Sequence, residues 1–313
     1  MNVEAVMTAL LSAALLGSVP LMLAAVGEAI GERAGLLNLG VEGVMLIGGF
    51  TGFWVALRGE SLLLGLVAGA LAGLLAGSIF GALTVVAKAD QVVLGLGVTL
   101  GGGGVTGFLF RESFGSSQPL LDTTMGRPLA GLGDWVPVVG PALFGQVWFV
   151  YLAWGIVLGC DLMLRYSTFG LRLRAVGEAP FAVDATGISV DGVRIAAAVI
   201  GGTLAGLAGA ALTIVELGFF RPGVTLGIGF IAIALAMLGQ LTPWRIAAAA
   251  LLFGLLRGLD AGLQLTSVKV RAEFLQMLPY LGVVIALVIV GRNMRLPAAL
   301  GRAYIRGRSR GDL

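Results

Sequence analysis

The sequence has almost none of the side chains that most catalytic and metal sites require. It contains no histidine and a single cysteine, Cys160, among 313 residues. Without histidine there is no Ser-His-Asp triad, no histidine metal site and no histidine proton relay. One cysteine can form neither an internal disulfide nor a thiolate cluster. We therefore expect no catalytic residues and no metal site in this chain.

Charge is the second scarcity. Charged residues make up 12% of the chain and apolar residues 58%, with a mean hydropathy of +1.00. A soluble domain carries about 25% charged residues, so a soluble enzyme is excluded. Disorder is excluded as well, because low hydrophobicity is its signature. The composition predicts a multi-pass membrane protein.

Long apolar runs fill the chain. A membrane helix needs about 20 apolar residues, and nine runs of this kind predict an all-α transmembrane bundle in a single domain, 1–313. A β-barrel does not fit, because the runs are continuous rather than ten-residue alternations. The predicted spans are 5–26, 40–57, 61–86, 91–110, 147–164, 193–217, 224–242, 244–263 and 274–291.

The basic residues favour one orientation of the bundle. Nine spans place the two termini on opposite sides of the membrane. With the C-terminus inside, thirteen basic residues fall in inner loops and in the tail 292–313, and six fall in outer loops. Cytoplasmic loops carry the excess of Lys and Arg. The sequence thus predicts N-out, C-in, with 292–313 as a basic cytoplasmic tail.

The connection 27–43, GEAIGERAGLLNLGVEG, places polar side chains between two apolar runs. Irregular backbone at membrane depth is tolerated only where it is buried in protein or lines a cavity, and broken helices commonly build transporter sites. We therefore favour a discontinuous helix here, with Glu28, Asn38 and Glu42 lining a substrate pathway. An ordinary cytoplasmic turn is the alternative.

Segment 165–192 is the only long inner loop in this arrangement. It contains signals for a short helix, because Pro180 suits a first helical turn and Gly187 suits a helix end. The pattern predicts a short helix on the cytoplasmic face.

Two further patterns concern the spans themselves. Glycines recur every four residues from Gly65 to Gly81, and small residues are similarly spaced around Gly202 and Gly206, which predicts close helix packing. Arg257 and Asp260 lie three residues apart in one span, so we expect them to pair on one helix face. A direct role for that pair in the pathway is the alternative.

No nucleotide-binding loop is present. The pattern GxxxxGK[ST] is missing, because the residues before the two lysines are Ala87 and Val268. The glycines at 95, 97 and 101–104 lie inside an apolar span rather than after a strand. If the protein uses ATP, another subunit binds it, and we expect no cofactor in this chain.

Three blocks of sequence resemble one family. GEAIGERAGLLNLGVEGVMLIGGF (27–50), FGLRLRAVGEAPFAVDATGISV (169–190) and GIGFIAIALAMLGQLTP (227–243) are similar to permease subunits of the ribose/branched-chain-amino-acid class of ABC importers. The first block is most similar to the branch that serves nucleosides and purines. The first two blocks together are specific, whereas the third is mostly apolar.

The resemblance implies a non-enzymatic permease for nucleosides or nucleobases in a bacterial plasma or inner membrane. Its implied partners are a second permease, ABC ATPase subunits and an extracytoplasmic binding lipoprotein, together with membrane lipids and no nucleic acid. Carboxylates and amides in the pathway would accept hydrogen bonds from ribose hydroxyls. The resemblance also makes 178–187 a coupling helix against the ATPase, with coupling residues Arg174, Gly177, Glu178, Pro180, Asp184 and Gly187.

Other functions stay open. The same machine could carry a simple sugar or a branched-chain amino acid. An ion-driven secondary transporter is a different class, disfavoured by the odd span count and the lack of an obvious inverted repeat. A channel is disfavoured because no span carries a polar filter sequence.

Overall fold

The computed structural model describes residues 3–122, 124–264, 277–278, 280–285, 288 and 295–305. Within these residues the chain is helical, and its only β contact is an isolated antiparallel bridge between Leu120 and Phe219. An all-α architecture is thereby confirmed. Six helices are long and apolar enough to cross a membrane: Glu4–Arg33, Val41–Gly59, Leu62–Val86, Gln91–Phe114, Trp148–Tyr166 and Val190–Leu217.

Besides the helical residues 277–278, 280–285 and 288, eleven α-helices lie within residues 3–264. They are α1 (Val3–Arg33), α2 (Val41–Gly59), α3 (Leu62–Gly81), α4 (Gln91–Phe114), α5 (Val139–Phe144), α6 (Trp148–Tyr166), α7 (Thr168–Glu178), α8 (Pro180–Ala185), α9 (Val190–Ala210), α10 (Ile228–Leu238) and α11 (Pro243–Gln264). Single π-helical turns extend α3 over Ala82–Val86 and α9 over Ala211–Leu217, and a 3₁₀ segment covers Ala130–Trp135.

Glycines build the centre of the bundle. A Cβ on Gly73 would lie 2.7 Å from the Cα of Gly206, and a Cβ on Gly69 would lie 2.8 Å from the carbonyl oxygen of Gly48. The backbones of α2, α3 and α9 therefore meet directly, which no larger side chain would permit. The close packing predicted from the glycine spacing is confirmed.

The prediction of one continuous helix over 224–242 is wrong. Only Ile228–Leu238 is helical there, and these 11 residues span about 16 Å, roughly half of a hydrocarbon core. Before it, residues 218–227 are non-helical, with positive φ at Gly218, Gly223 and Gly227. The predicted span 244–263 is α11, and most of 274–291 lies outside the described residues.

A second non-helical segment, 34–40, separates α1 from α2. It runs along the first half of α4, because the N–H of Leu37 donates to Gln91 Oε1 (2.7 Å) and the carbonyl of Leu39 accepts from Thr99 Oγ1 (2.9 Å). Gln91 and Thr99 are eight residues apart, or about 12 Å along the helix. Helix α2 thus begins beside the middle of α4 rather than beside its start.

The short helix predicted in 165–192 is present as α8. Pro180 is its first residue, Gly187 follows it with φ +82°, and the loop also contains α7. The last turn of α7 packs on the end of α1, where Gly177 lies against the carbonyl of Arg33. We call this end of the bundle the α8 end. The opposite end carries the last turns of α2 and α4.

Candidate functional site

Glu42 joins two helices at the centre of the bundle. It lies in the first turn of α2, and its side chain reaches the N-terminus of α10, more than 180 residues further along the chain. Its Oε1 accepts hydrogen bonds from the hydroxyl of Thr225 (2.5 Å) and the N–H of Gly227 (2.8 Å), and its Oε2 accepts from the N–H of Gly229 (2.7 Å). Glu42 therefore caps α10.

The electrostatics of this cap are favourable. A helix N-terminus carries unpaired N–H groups and a partial positive charge, so it stabilises an anion placed there. Glu42 is only 7% exposed, and a buried carboxylate needs several donors to offset its lost hydration. The three hydrogen bonds meet that requirement. The capped junction holds α10 on α2.

Two non-helical segments lead to this junction from opposite ends. Segment 34–40 arrives from the α8 end along α4. Segment 218–227 arrives from the other end, where Phe220 packs between Phe50 and Phe110 with ring centroids 5.3 and 5.7 Å away. Both segments finish at a helix N-terminus beside Glu42. Broken helices that meet inside a bundle are the arrangement in which transporters hold their substrates.

Of the three predicted pathway residues, the structure brings two into contact. Glu28, near the end of α1, accepts a hydrogen bond from the N–H of Asn38 (3.0 Å), and Asn38 Oδ1 accepts from the N–H of Gly40 (2.9 Å). Glu42 bonds instead to α10. All three side chains thus hold backbone of their own chain, and their contact with a substrate stays a prediction.

Glu32 lies one turn beyond Glu28 on the same helix. It is completely buried, and within the described residues neither of its carboxylate oxygens has a hydrogen-bond partner. On the far side of segment 34–40, Arg194 donates from Nε to the carbonyl of Ala34 (3.1 Å) and from Nη1 to that of Arg302 (2.9 Å). Arg194 therefore holds the backbone at the start of this segment, whereas the carboxylate of Glu32 makes no hydrogen bond within the described residues.

Sequence reasoning missed Thr225, Gly227 and Gly229. The signal available was the run GVTLGIGF, in which three glycines interrupt an apolar stretch. Such interruptions in a hydrophobic segment point to a broken helix, but the apolar average over 224–242 concealed it.

The predicted coupling residues surround α8. Arg174 and Glu178 lie on exposed positions of α7, and the carbonyl of Gly177 accepts the N–H of Ala299 (2.9 Å). Pro180 is buried at the start of α8, and the carbonyl of Asp184 accepts the N–H of Gly187 (2.9 Å) where α8 ends. The six residues thus form one helix–turn–helix unit at the α8 end. Their role against an ATPase stays a prediction.

Arg257 forms an ion pair that the sequence did not indicate, and its predicted pair with Asp260 stays a prediction. Its Nη2 lies 2.8 Å from Glu216 Oε1, in the π-helical turn after α9, and its Nη1 donates to the carbonyl of Gly17 (3.4 Å). The side chain of Asp260 lies outside the described residues. Because Glu216 is distant in sequence, spacing along one helix could not identify it.

The chain is similar to known transport proteins. Residues 10–299 match the family described as the permease component of the branched-chain amino acid transport system. A candidate glucose ABC transporter permease of Haloferax volcanii is 38% identical over 80% of this chain and 76% of its own length.

Two relatives cover nearly the whole chain. The guanosine ABC transporter permease of Bacillus subtilis and the nucleoside ABC transporter permease of Lactococcus lactis are each 32% identical over 98% of this chain and 100% of their own length. No solved structure matches the chain.

Proposed function

The chain belongs to the permease-component family of the branched-chain amino acid transport system, and from this we propose that it is the membrane-spanning permease of an ATP-driven nucleoside importer. In this proposal the chain forms the translocation pathway, and partner subunits bind and hydrolyse ATP. A second permease and an extracytoplasmic binding protein complete the machine. The membrane is a bacterial plasma or inner membrane, crossed about nine times with the N-terminus outside.

The observation that carries the proposal is the junction at Glu42. Two non-helical segments reach the interior from opposite ends of the bundle and stop at the N-termini of α2 and α10. An importer needs inward- and outward-facing states of comparable free energy, and short helices that end inside a bundle can tilt without unfolding a whole span. The two relatives named for nucleosides support this cargo, because they match the chain end to end.

A contiguous set of contacts joins the proposed ATPase contact to this junction. Helix α8 packs on α7, and α7 packs on the end of α1 through Gly177 and Arg33. Arg33 Nε donates to the carbonyl of Leu241 (2.7 Å), three residues after α10 ends. The other end of α10 is held by Glu42. We propose that movement of α8 tilts α10 through this series of contacts. Contacts alone do not demonstrate energetic coupling between two sites, which mutations along the series would have to test.

A simple sugar is the second candidate cargo. The Haloferax volcanii relative named for glucose supports it, as does a second glucose ABC transporter permease of that organism, 28% identical over 79% of this chain. Both cargoes present hydroxyl groups, so the same pathway chemistry serves either.

Co-purification tests the assignment. The tagged chain, expressed with its neighbouring genes and extracted in mild detergent, should bring a second permease and an ATPase with it, and nucleoside-loaded binding protein should stimulate ATP hydrolysis by that complex. A chain that purifies alone and moves solute in liposomes without ATP would refute the proposal in favour of a secondary transporter. Stimulation by a glucose-loaded protein alone would shift the cargo to a sugar.

A further inference from the structure

A small cavity lies at the end of the bundle opposite α8, between the last turns of α2 and α4. It has a volume of about 280 Å³ and is lined by Phe50, Thr51, Trp54, Leu109 and Ser113. Small-molecule sites start at about 300 Å³, so this cavity suits one compact solute rather than a long chain. It shares no lining residue with the Glu42 junction.

The aromatic wall of the cavity consists of Phe50 and Trp54, and Phe50 is held in place by packing. Phe50 is buried and packs edge to face on Phe220, with ring planes at 71°. Trp54, one turn further along α2, is 36% exposed, and the guanidinium carbon of Arg58 lies 5.1 Å from its ring centroid. Because the guanidinium lies over one face of the ring, the opposite face is the one on which a planar ring would stack.

Two residues that carry hydroxyl groups, Thr51 and Ser113, line the same cavity. Helical Ser and Thr often bond to the carbonyl four residues earlier, as Thr84, Thr106 and Thr203 do here at 2.7–2.8 Å. The side-chain hydroxyls of Thr51 and Ser113 have no hydrogen-bond partner within the described chain. Both hydroxyls are therefore available to a ligand in the cavity.

We propose that this cavity is an outer subsite for a nucleoside, which it holds before the solute reaches the Glu42 junction. The base stacks on Trp54, and ribose hydroxyls exchange hydrogen bonds with Thr51 and Ser113. Aromatic stacking accepts any base, whereas the hydroxyls recognise the sugar. A lipid chain would leave both hydroxyls unpaired. The inference rests on the proposed function, because it assigns a site to that cargo.

The cavity is connected to the junction through Phe220. Phe50 touches Phe220, and Phe220 lies five residues before Thr225, which donates to Glu42. A solute that displaces the Trp54–Phe50 wall therefore presses on the segment that ends at α10. This places the subsite on the route towards the interior.

Photolabelling and transport together test the subsite in the complete importer. An 8-azidonucleoside should label peptides containing residues 50–58 or 109–113 and should be displaced by unlabelled nucleoside. At saturating binding protein, Trp54→Leu should reduce nucleoside uptake at least fivefold, and Trp54→Phe should retain most of it. Thr51→Val and Ser113→Ala should each reduce uptake about threefold.

Matched controls separate binding from packing. Trp244→Leu removes another exposed tryptophan, on α11, and Thr203→Val removes a hydroxyl already bonded within its helix, so both should transport normally. Nucleoside uptake that is unchanged in Trp54→Leu, or labelling confined to other residues, would overturn the subsite alone. A Leu variant that equals the Phe variant would assign Trp54 to a space-filling or interfacial role. A wild-type complex that imports only glucose would overturn both the subsite and the proposed cargo.

Discussion

At the scale of single residues, Glu42 organises the centre of the molecule. A carboxylate inside a membrane bundle costs about 2.5–3.5 kcal/mol on insertion scales. Here its three hydrogen bonds and the α10 N-terminus offset that cost. The same contacts explain why the side chain has to be an acceptor at both oxygens.

Glu42→Gln should destabilise the protein and impair transport. The amide of glutamine keeps one acceptor oxygen and replaces the other with an NH₂ donor. That donor would face either the N–H of Gly229 or the donors of Thr225 and Gly227, and no hydrogen bond would form there. An unsatisfied buried donor costs about 1–3 kcal/mol. We expect a lower melting temperature of the purified complex and at least a tenfold loss of ATP-driven uptake. Glu112→Gln, at an exposed position of α4, is the control. A variant as stable and active as the control would contradict the capping role.

Sequence alone could indicate which residues are unusual but not their partners. The polarity of Glu28, Asn38 and Glu42 within apolar surroundings was visible. The bond from Thr225 to Glu42 was not, because it crosses 183 residues of sequence. The ion pair of Arg257 with Glu216 shows the same limit, since helix periodicity identifies near neighbours and Glu216 lies on a different helix.

At the scale of elements, the glycines of α3 and α4 do different things. Those of α3 pack against α2 and α9, mostly at backbone contact. Gly97, Gly101 and Gly104 lie on α4 with nothing within 4 Å of a Cβ in the described structure. Identical residues at helical spacing therefore mark a packed face in one helix and an open face in the other.

Gly73→Ala and Gly97→Ala should have opposite effects. The added methyl at Gly73 would overlap Gly206, and overpacking of this kind costs about 1–3 kcal/mol. At Gly97 the methyl enters open space, and alanine gains about 0.5–1 kcal/mol in a helix interior. Thermal unfolding of the purified complex should show a lower midpoint for the first variant and an unchanged or higher one for the second. Equal midpoints would contradict the packing described for α3 and α9.

The unit formed by α7 and α8 carries an exposed carboxylate, Glu178, at the end of α7. Glu178→Arg should leave the chain folded, because a cation suits the C-terminal turn of α7. It should nevertheless abolish the stimulation of ATP hydrolysis by loaded binding protein and lower uptake at least tenfold. Glu60→Arg, an equally exposed reversal at the opposite end of the bundle, should change neither. Normal stimulation in Glu178→Arg would remove this unit from the coupling route.

Hydropathy correctly predicted the helices that are apolar along their whole length. Six spans agree because long apolar runs have few alternatives to a helix in a membrane. It failed at 224–242, because GVTLGIGF is apolar on average yet contains glycines at positive φ that interrupt the helix. An average over 20 residues does not resolve such a break.

At the scale of the whole molecule, the basic residues predict which end faces the cytoplasm. The α8 end carries Arg33, Arg174 and Arg194, and the opposite end carries Arg58 and Arg111. In a Cys160→Ser background, a cysteine at Thr186 should react with a membrane-impermeant maleimide only after cells are opened. A cysteine at Glu60 should react on intact cells. The reverse pattern would invert the orientation and place the nucleoside subsite inside.

Uptake into proteoliposomes that contain the chain with its co-purified permease and ATPase is the decisive experiment. Radiolabelled nucleoside and its binding protein are supplied outside, and ATP is enclosed within. We expect nucleoside to accumulate inside above its outside concentration. This accumulation should require both ATP and binding protein, and Glu42→Gln should reduce it at least tenfold. Nucleoside accumulation without ATP would contradict the proposed ATP-driven import. So would a complex that hydrolyses ATP and imports glucose but does not accumulate nucleoside.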